Sequence, residues 1–494
     1  MLIREVGMRC KLIHLMLWLI LLLLLSVPIA IKASVTDDGY KQCEHAVNKW
    51  ASSSSSTDSS VKGDKHALRD LLFFLHVPRT GGRTYFYCFL KKLYLNSQEC
   101  PRSYDKLRFN PRKTNCRLLS THDDYSMMSK LPKEKTSMVT ILRNPIDRVF
   151  STYEFSVEVA ARFLIHPNLT SVARMAKRVR RKTAGISTLD IWPWKHLVPW
   201  MREDLFARRD TRKLRGQSHL VTNNSYDMED FLMPLHEYIH DPIARDLVHN
   251  GATFQITGLT NNSYYAEAHE VRHCVSKYRF LGKYVLGVAK RKLDDMLYVG
   301  LTENHKESAS MFANIVGAQV ISQHTVPGSS TDVAADNDSE QDSLLPDIKS
   351  DVNDHGNNTN QTLKNLSSTN KEEAARGNFT VPTLMETYES CSSSLRSSQA
   401  ERRVNSLKRI SPANFTKEAR LQVPEVLIQE IASLNSLDVE LYNYARQIFT
   451  KQHAHMMQSI ANAVMKCFQT PSLIKASTVP LFRNSFSYPP PVYY

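Results

Sequence analysis

At 494 residues, with 42% hydrophobic and 23% charged residues, the chain has the composition of a globular protein of one large or two medium domains. A core of that size persists without cross-links, which excludes a miniature scaffold dependent on disulfides. The formal net charge of +14 favours an anionic partner, be it nucleotide, acidic peptide, acidic glycan or nucleic acid, and charge alone does not choose among them.

The N-terminus selects a compartment. Arg4, Arg9 and Lys11 precede an apolar run from Leu12 to Ile31, followed by the small residue Ala33. That layout predicts a signal peptide over 1–33, and the length of the run fits an uncleaved anchor equally. Asn168, Asn223, Asn261, Asn337, Asn357, Asn360, Asn365, Asn378 and Asn414 each head an Asn-x-Ser/Thr triplet. Lumenal exposure in the secretory pathway follows as the expectation, and nucleic acid drops out as a partner. Beyond the leader stand Cys43, Cys88, Cys100, Cys116, Cys274, Cys391 and Cys467, an odd set for an oxidising lumen. Their spacing matches no zinc site, and no metal is predicted.

Residues 34–66, with the serine run of Ala51–Ser60, read as a flexible linker. A folded core is predicted over 67–321. Leu71–Leu75 is a buried strand, and Tyr85–Leu95 follows with helical spacing. Leu118 and Leu119 start a short apolar stretch that turns polar at His122. Met138–Leu142 is a further strand, with a helix beginning near Ile146. Leu297–Leu301 is another, with helix from about Lys306 to Ile315. Strands alternating with helices predict an α/β fold, a central parallel sheet flanked by helices. Composition predicts a disordered, glycosylated insertion over 322–382. Helices over 383–468 complete the domain: Val426, Leu427, Ile431 and Leu434 fit one helix, and Leu437, Val439, Leu441 and Ala445 another. An unstructured tail is predicted over 469–494, with no apolar run long enough to span a membrane.

Two constellations carry chemistry. In LLFFLHVPRTGGRTYFYCFL (Leu71–Leu90) a strand delivers Pro78, Arg79, Thr80, Gly81, Gly82, Arg83 and Thr84 to the start of a helix. Paired glycines allow a tight turn with bare amides, and a helix N-terminus attracts an anion. The Gly-Lys-Ser/Thr ending of a nucleotide triphosphatase loop is missing, which disfavours an ATPase or kinase. In TILRNPIDRVFSTYEF (Thr140–Phe155), Arg143 at a strand end and Ser151 on the following helix can converge on one phosphate, with Arg148 as a second contact.

Together the two segments resemble the cofactor elements of the sulfotransferase superfamily. His76-Val77-Pro78-Arg79-Thr80-Gly81-Gly82 is similar to the loop of heparan sulfate 6-O-sulfotransferases, where lysine usually stands in place of Arg79. The whole chain resembles the plant protein-tyrosine sulfotransferases, also through Ile191-Trp192-Pro193-Trp194, Met201-Arg202-Glu203-Asp204, Gly300–Asn304 and Leu437–Tyr442.

The resemblance implies a P-loop-like sulfotransferase fold that binds 3′-phosphoadenosine 5′-phosphosulfate (PAPS). Arg79, Thr80, Gly81, Gly82, Arg83 and Thr84 would cradle the phosphosulfate, and Arg143 and Ser151 would hold the 3′-phosphate. It further implies sulfation of tyrosine in secreted peptides with acidic residues nearby, in the Golgi lumen, either free or held at a membrane by the N-terminal segment. A plant relative typically carries a C-terminal membrane segment, which this chain lacks. Glycan 6-O-sulfation and a non-catalytic glycan- or nucleotide-binding protein stay open as alternatives.

Sulfuryl transfer needs a base for the acceptor hydroxyl and a cation at the leaving oxygen. His122 is the candidate base, with Asp123 or Asp124 as ring orienter. Arg79, which does not give up a proton, is assigned electrostatic stabilisation. The basic stretch Arg174–Arg215, with Trp192, Trp194 and Trp200, reads either as an acceptor groove or as a solvated helix face.

Overall fold

The structure is a computed structural model and describes residues 38–54, 64–100, 116–165, 189, 191–215, 224–325 and 380–469. The predicted leader, most of the insertion and the tail lie outside these residues. So do the sequons at Asn168, Asn223, Asn337, Asn357, Asn360, Asn365 and Asn378, and the basic residues from Arg174 to Lys182.

Four strands form one sheet: β1 (Leu71–Leu75), β2 (Leu118–Thr121), β3 (Thr136–Leu142) and β4 (Tyr298–Leu301). Their order is β2-β1-β3-β4, and every neighbouring pair is parallel, with Leu75 opposite both Thr121 and Thr140, and Leu142 opposite Leu301. All four strands are buried along their whole length. A parallel sheet covered on both faces wants unbroken apolar runs, which is why the sequence marks β1, β3 and β4 so clearly.

Helical turns run without a break from Gly82 to Leu93 behind β1, widening to π-type bonding at Phe86–Leu90. The helix Pro145–Arg162 follows β3. Asn144 caps it, its Oδ1 accepting the Ile146 and Asp147 amides, and Pro145 occupies the first helical position, where its missing N–H costs nothing. One hydrophobic core surrounds the sheet. A second joins Pro145–Arg162 to the helix Trp194–Arg215 and to residues between Tyr226 and Ile431.

Two expectations are revised. Residues 38–54 are a helix rather than a linker; Val47 and Trp50 are buried, and Cys43 is bonded to Cys274. Val426 points outward from its helix Glu425–Leu434, whereas Ile431 is buried. The 27-residue helix Val381–Leu407 turns Val381, Leu384, Met385, Tyr388, Cys391 and Leu395, at three- and four-residue spacing, towards the core. It is fixed by the Cys88–Cys391 disulfide and by Tyr388 stacked 4.0 Å from Phe89. Cys100 pairs with Cys116, so six of the seven cysteines beyond the leader are bonded. Among the described residues no helix is long and apolar enough to cross a membrane.

Candidate active site

The chain leaves β1 towards β2 on one side and returns to β3 on the other. That reversal opens a crevice at the carboxyl ends of β1 and β3, where open parallel sheets bind ligands. Both motif loops end there, and the β2 loop that carries His122 lies beside β1 on the opposite flank.

The loop after β1 is bent by two left-handed residues, Arg79 (φ 67°) and Gly81 (φ 85°). A non-glycine residue in that region is strained unless its surroundings over-determine it. The neighbours do so. Arg143 Nη1 donates to the Arg79 carbonyl at 3.3 Å, and Thr302 Oγ1 lies 2.7 Å from the Thr80 carbonyl and 3.0 Å from that of Leu142. The Thr80 hydroxyl donates inward to the Val77 carbonyl at 2.9 Å, so it braces the loop rather than facing a ligand as expected. Gly81 is exposed. Gly82 opens the helix and is packed on the His76 ring, where any side chain would collide. Thr84 N–H closes the turn on the Gly81 carbonyl, and the Arg83 guanidinium lies over the Tyr87 ring. The result is a cradle of backbone amides with cationic side chains, and this donor set fits the oxygens of a phosphosulfate.

The second element meets the first directly. Arg79 Nε donates to Ser151 Oγ at 3.0 Å, and the Arg79 guanidinium lies 4.3 Å over the Phe155 ring, one turn further along the helix. Burial and the nearby Arg143 and Arg403 lower the Arg79 pKa to about 10, against the pull of Glu158 and Glu154; the group stays cationic at neutral pH. Arg143 is shifted downward by burial too. Arg143 and Ser151, read in the sequence as partners at one phosphate, each contact Arg79. Glu303 fixes the β3 loop, accepting the Asn144 amide at 2.9 Å and the Tyr442 hydroxyl at 2.7 Å. In this way the Gly300–Asn304 and Leu437–Tyr442 segments become one clamp.

Sequence reasoning missed the charged wall beyond Ser151. Glu154, 1% exposed, accepts from the Tyr226 hydroxyl at 2.7 Å and pairs with Arg420 Nη2 at 2.6 Å. Arg403 reaches Glu154 and Glu158 only at 3.4 Å each, and Arg162 also pairs with Glu158. Arg403 and Arg420 arrive from the C-terminal segment, and nothing in their local sequence links them to Glu154.

His122 is buried at the end of β2, and its Nδ1 lies 2.9 Å from the His76 carbonyl. A carbonyl only accepts, so Nδ1 carries the hydrogen and Nε2 keeps its lone pair. Burial, and Arg79 in the same direction, lower its pKa to about 4 against the His76 carbonyl, so the ring is neutral at physiological pH.

Neither acidic neighbour takes the role of ring orienter. Asp123 accepts from Thr121 Oγ1 at 2.8 Å and from Asn262. Asp124 caps the turn at Tyr125–Lys130 and accepts from Thr260 Oγ1 at 2.7 Å. Arg148, offered as a second phosphate contact, is buried and bonded to Asp438 at 2.9 Å and to the Leu247 carbonyl at 2.8 Å. In the described part of the basic stretch, Arg202, Arg208, Arg209 and Arg215 pair with acids, and Arg212 donates to the Asp230 carbonyl. Trp192 and Trp194 are core residues. That half reads as a paired helix face.

The profile of the sulfotransferase domain matches residues 46–212, which include both cofactor elements and His122. The protein-tyrosine sulfotransferase of Arabidopsis thaliana is 62% identical over 432 residues, covering 87% of this chain and 84% of that protein. The chain belongs to the protein-tyrosine sulfotransferase family. The family draws the transferred group from PAPS, and in the crevice Arg143 and Ser151 both contact Arg79 of the loop after β1.

Proposed function

We propose that this enzyme transfers the sulfuryl group of PAPS to the phenolic oxygen of tyrosine in secreted peptides that carry acidic residues nearby. The observation that carries the transfer chemistry is the His122 ring, held by the His76 carbonyl in the tautomer of a base and placed beside a cationic loop. In the step, the phenolic oxygen forms the new S–O bond while the bond from sulfur to the bridging phosphate oxygen breaks. His122 Nε2 takes the phenolic proton. Arg79 and the amides at the helix start offset charge on the departing 3′,5′-bisphosphate. Labelled PAPS offered with an acidic tyrosine peptide and, separately, with desulfated heparan sulfate tests the acceptor. Transfer to the polysaccharide alone would sink the tyrosine assignment.

Arg143 and Ser151 are assigned to the 3′-phosphate. Arg143→Ala is expected to raise the KM for PAPS about 10- to 100-fold, the loss of one charge-assisted hydrogen bond. The KM for the peptide should stay within experimental scatter. Equal rises in both constants would count against the assignment.

The charged wall supports the acidic flank. Arg403 is 30% exposed and held only by long contacts, so it can turn to an acidic residue beside the acceptor tyrosine. Arg403→Gln is expected to raise the KM of a peptide with acidic flanks about fivefold and to leave a neutral-flanked peptide unchanged. Secretory lumenal residence is supported by three disulfides and by the exposed sequons at Asn261 and Asn414. Membrane attachment through Leu12–Ile31 belongs to the same proposal.

A further inference from the structure

His76 is the first residue after β1, and the ring and carbonyl of this residue do different work. The carbonyl lies 2.9 Å from His122 Nδ1 and accepts from Gln255 Nε2 at 3.2 Å, and that amide also lies 2.9 Å from the His122 carbonyl. The His76 ring stacks on His122 with centroids 4.1 Å apart and planes at 28°. Phe74 stacks on it as well, at 5.5 Å and 14°. The same ring lies so close to Gly82 that a Cβ there would come within 2.2 Å of Cδ2 and 2.4 Å of Nε2. One imidazole therefore touches both the base and the first residue of the phosphate-loop helix.

We propose that His76 is a positioning residue for the transfer step, whose flat ring fixes the plane of His122 relative to the phosphosulfate loop and keeps water from it. The inference rests on the reading of His122 as base. A hydrogen bond at Nδ1 fixes one atom of an imidazole, and a ring stacked on its face also fixes the plane. Burial and the proximity of His122 and Arg79 disfavour the charged form of His76. When His122 takes the phenolic proton, the new cation therefore meets a neutral π-face and not a second charge. Among the described residues the charged or titratable groups around His122 include His76 and Arg79 of the loop and Asp123 of its own turn; Gln255, from the helix Gly251–Thr257, is neutral.

The test compares His76→Phe, which keeps a flat ring, with His76→Leu and His76→Ala in the full chain. The readouts are kcat at saturating PAPS, bisphosphate affinity by calorimetry, the thermal midpoint and the pH dependence of kcat/KM. His76→Phe should stay within about threefold of wild-type kcat, and His76→Leu should lose about tenfold or more with bisphosphate affinity unchanged. In His76→Ala, water reaching His122 should move the acid limb up towards the ordinary histidine range. Should His76→Ala fail to fold, the Phe–Leu pair still decides. Equal kcat in the Phe and Leu variants, or a bisphosphate affinity that falls in step with kcat, overturns the inference. His122→Gln, run in parallel, separates the two ideas. An active His122→Gln removes the base assignment, whereas an inactive one beside a fully active His76→Leu removes only the role of His76.

Discussion

Replacing His122 with glutamine is expected to lower kcat by about 100- to 10 000-fold, the range spanned by loss of a general base. Bisphosphate affinity should hold, since the ring contacts the loop through the His76 carbonyl and the stacked His76 ring, outside the phosphate cradle. The pH dependence follows from the shift. A base whose pKa is lowered to about 4 is in its active neutral form above that value. For kcat/KM with PAPS, which reports the free enzyme, the His122 acid limb should therefore lie below pH 5, well under the usual histidine range near 6.5. Bound phosphosulfate is anionic and favours the imidazolium, so the acid limb of kcat should lie higher than that of kcat/KM. A variant that keeps more than a tenth of the wild-type kcat would exclude His122 as the base, and a kcat/KM limb near 6.5 would exclude the lowered pKa.

The largest stability effect is expected at Asp438. Its carboxylate accepts from Arg148 Nη2 at 2.9 Å, the Ala252 amide at 3.1 Å, and the Thr253 amide and hydroxyl at 2.7 Å each. It thereby joins the helix behind β3, the helix Gly251–Thr257 and the C-terminal helix Ser436–Gln469. Both partners of the ion pair are 1% exposed. Asp438→Ala should cost about 3–5 kcal/mol, because a buried guanidinium loses its counter-charge in a medium of low dielectric. Arg148 Nε and Nη1 already lack hydrogen bonds, so the pair is imperfectly satisfied even in the intact protein. Replacing both partners with apolar residues of similar volume should thus cost less than Asp438→Ala alone. Urea unfolding of the single and double variants measures this, and an unchanged midpoint for Asp438→Ala would refute the assigned role.

Much of the crevice could be read from local signals. Parallel strands buried on both faces must be apolar throughout, so Leu71–Leu75 stands out, and glycines and prolines mark where the chain turns into the following helices. The eight-residue step from Arg143 at a strand end to Ser151 in a helix is likewise local, and the structure brings both to Arg79.

Other assignments depend on partners far away in the chain. Arg143 and Arg148 look alike in sequence, five residues apart in one motif. Arg148 faces Asp438, 290 residues later, and becomes a buried strut; Arg143 faces the Arg79 carbonyl and stays in the crevice. The helix Val381–Leu407 packs on the core through an apolar stripe that ends at Leu395, and nothing in that stripe foretells that Arg403, beyond it, reaches Glu158, 245 residues earlier in the chain. The group that orients His122 is a main-chain carbonyl, which every residue possesses and no side-chain pattern reveals, whereas the adjacent Asp123 and Asp124, the obvious choices in sequence, hold the turn instead.

The sequence by itself determined the sheet, the phosphate loop, its arginines and the histidine at the sheet edge, because strand burial, helix starts and glycine turns act over a few residues. Only the tertiary structure decided which arginine is buried as a strut, which group holds the His122 ring and where the second layer of charge comes from, because a charge takes its role from the partner that packs against it.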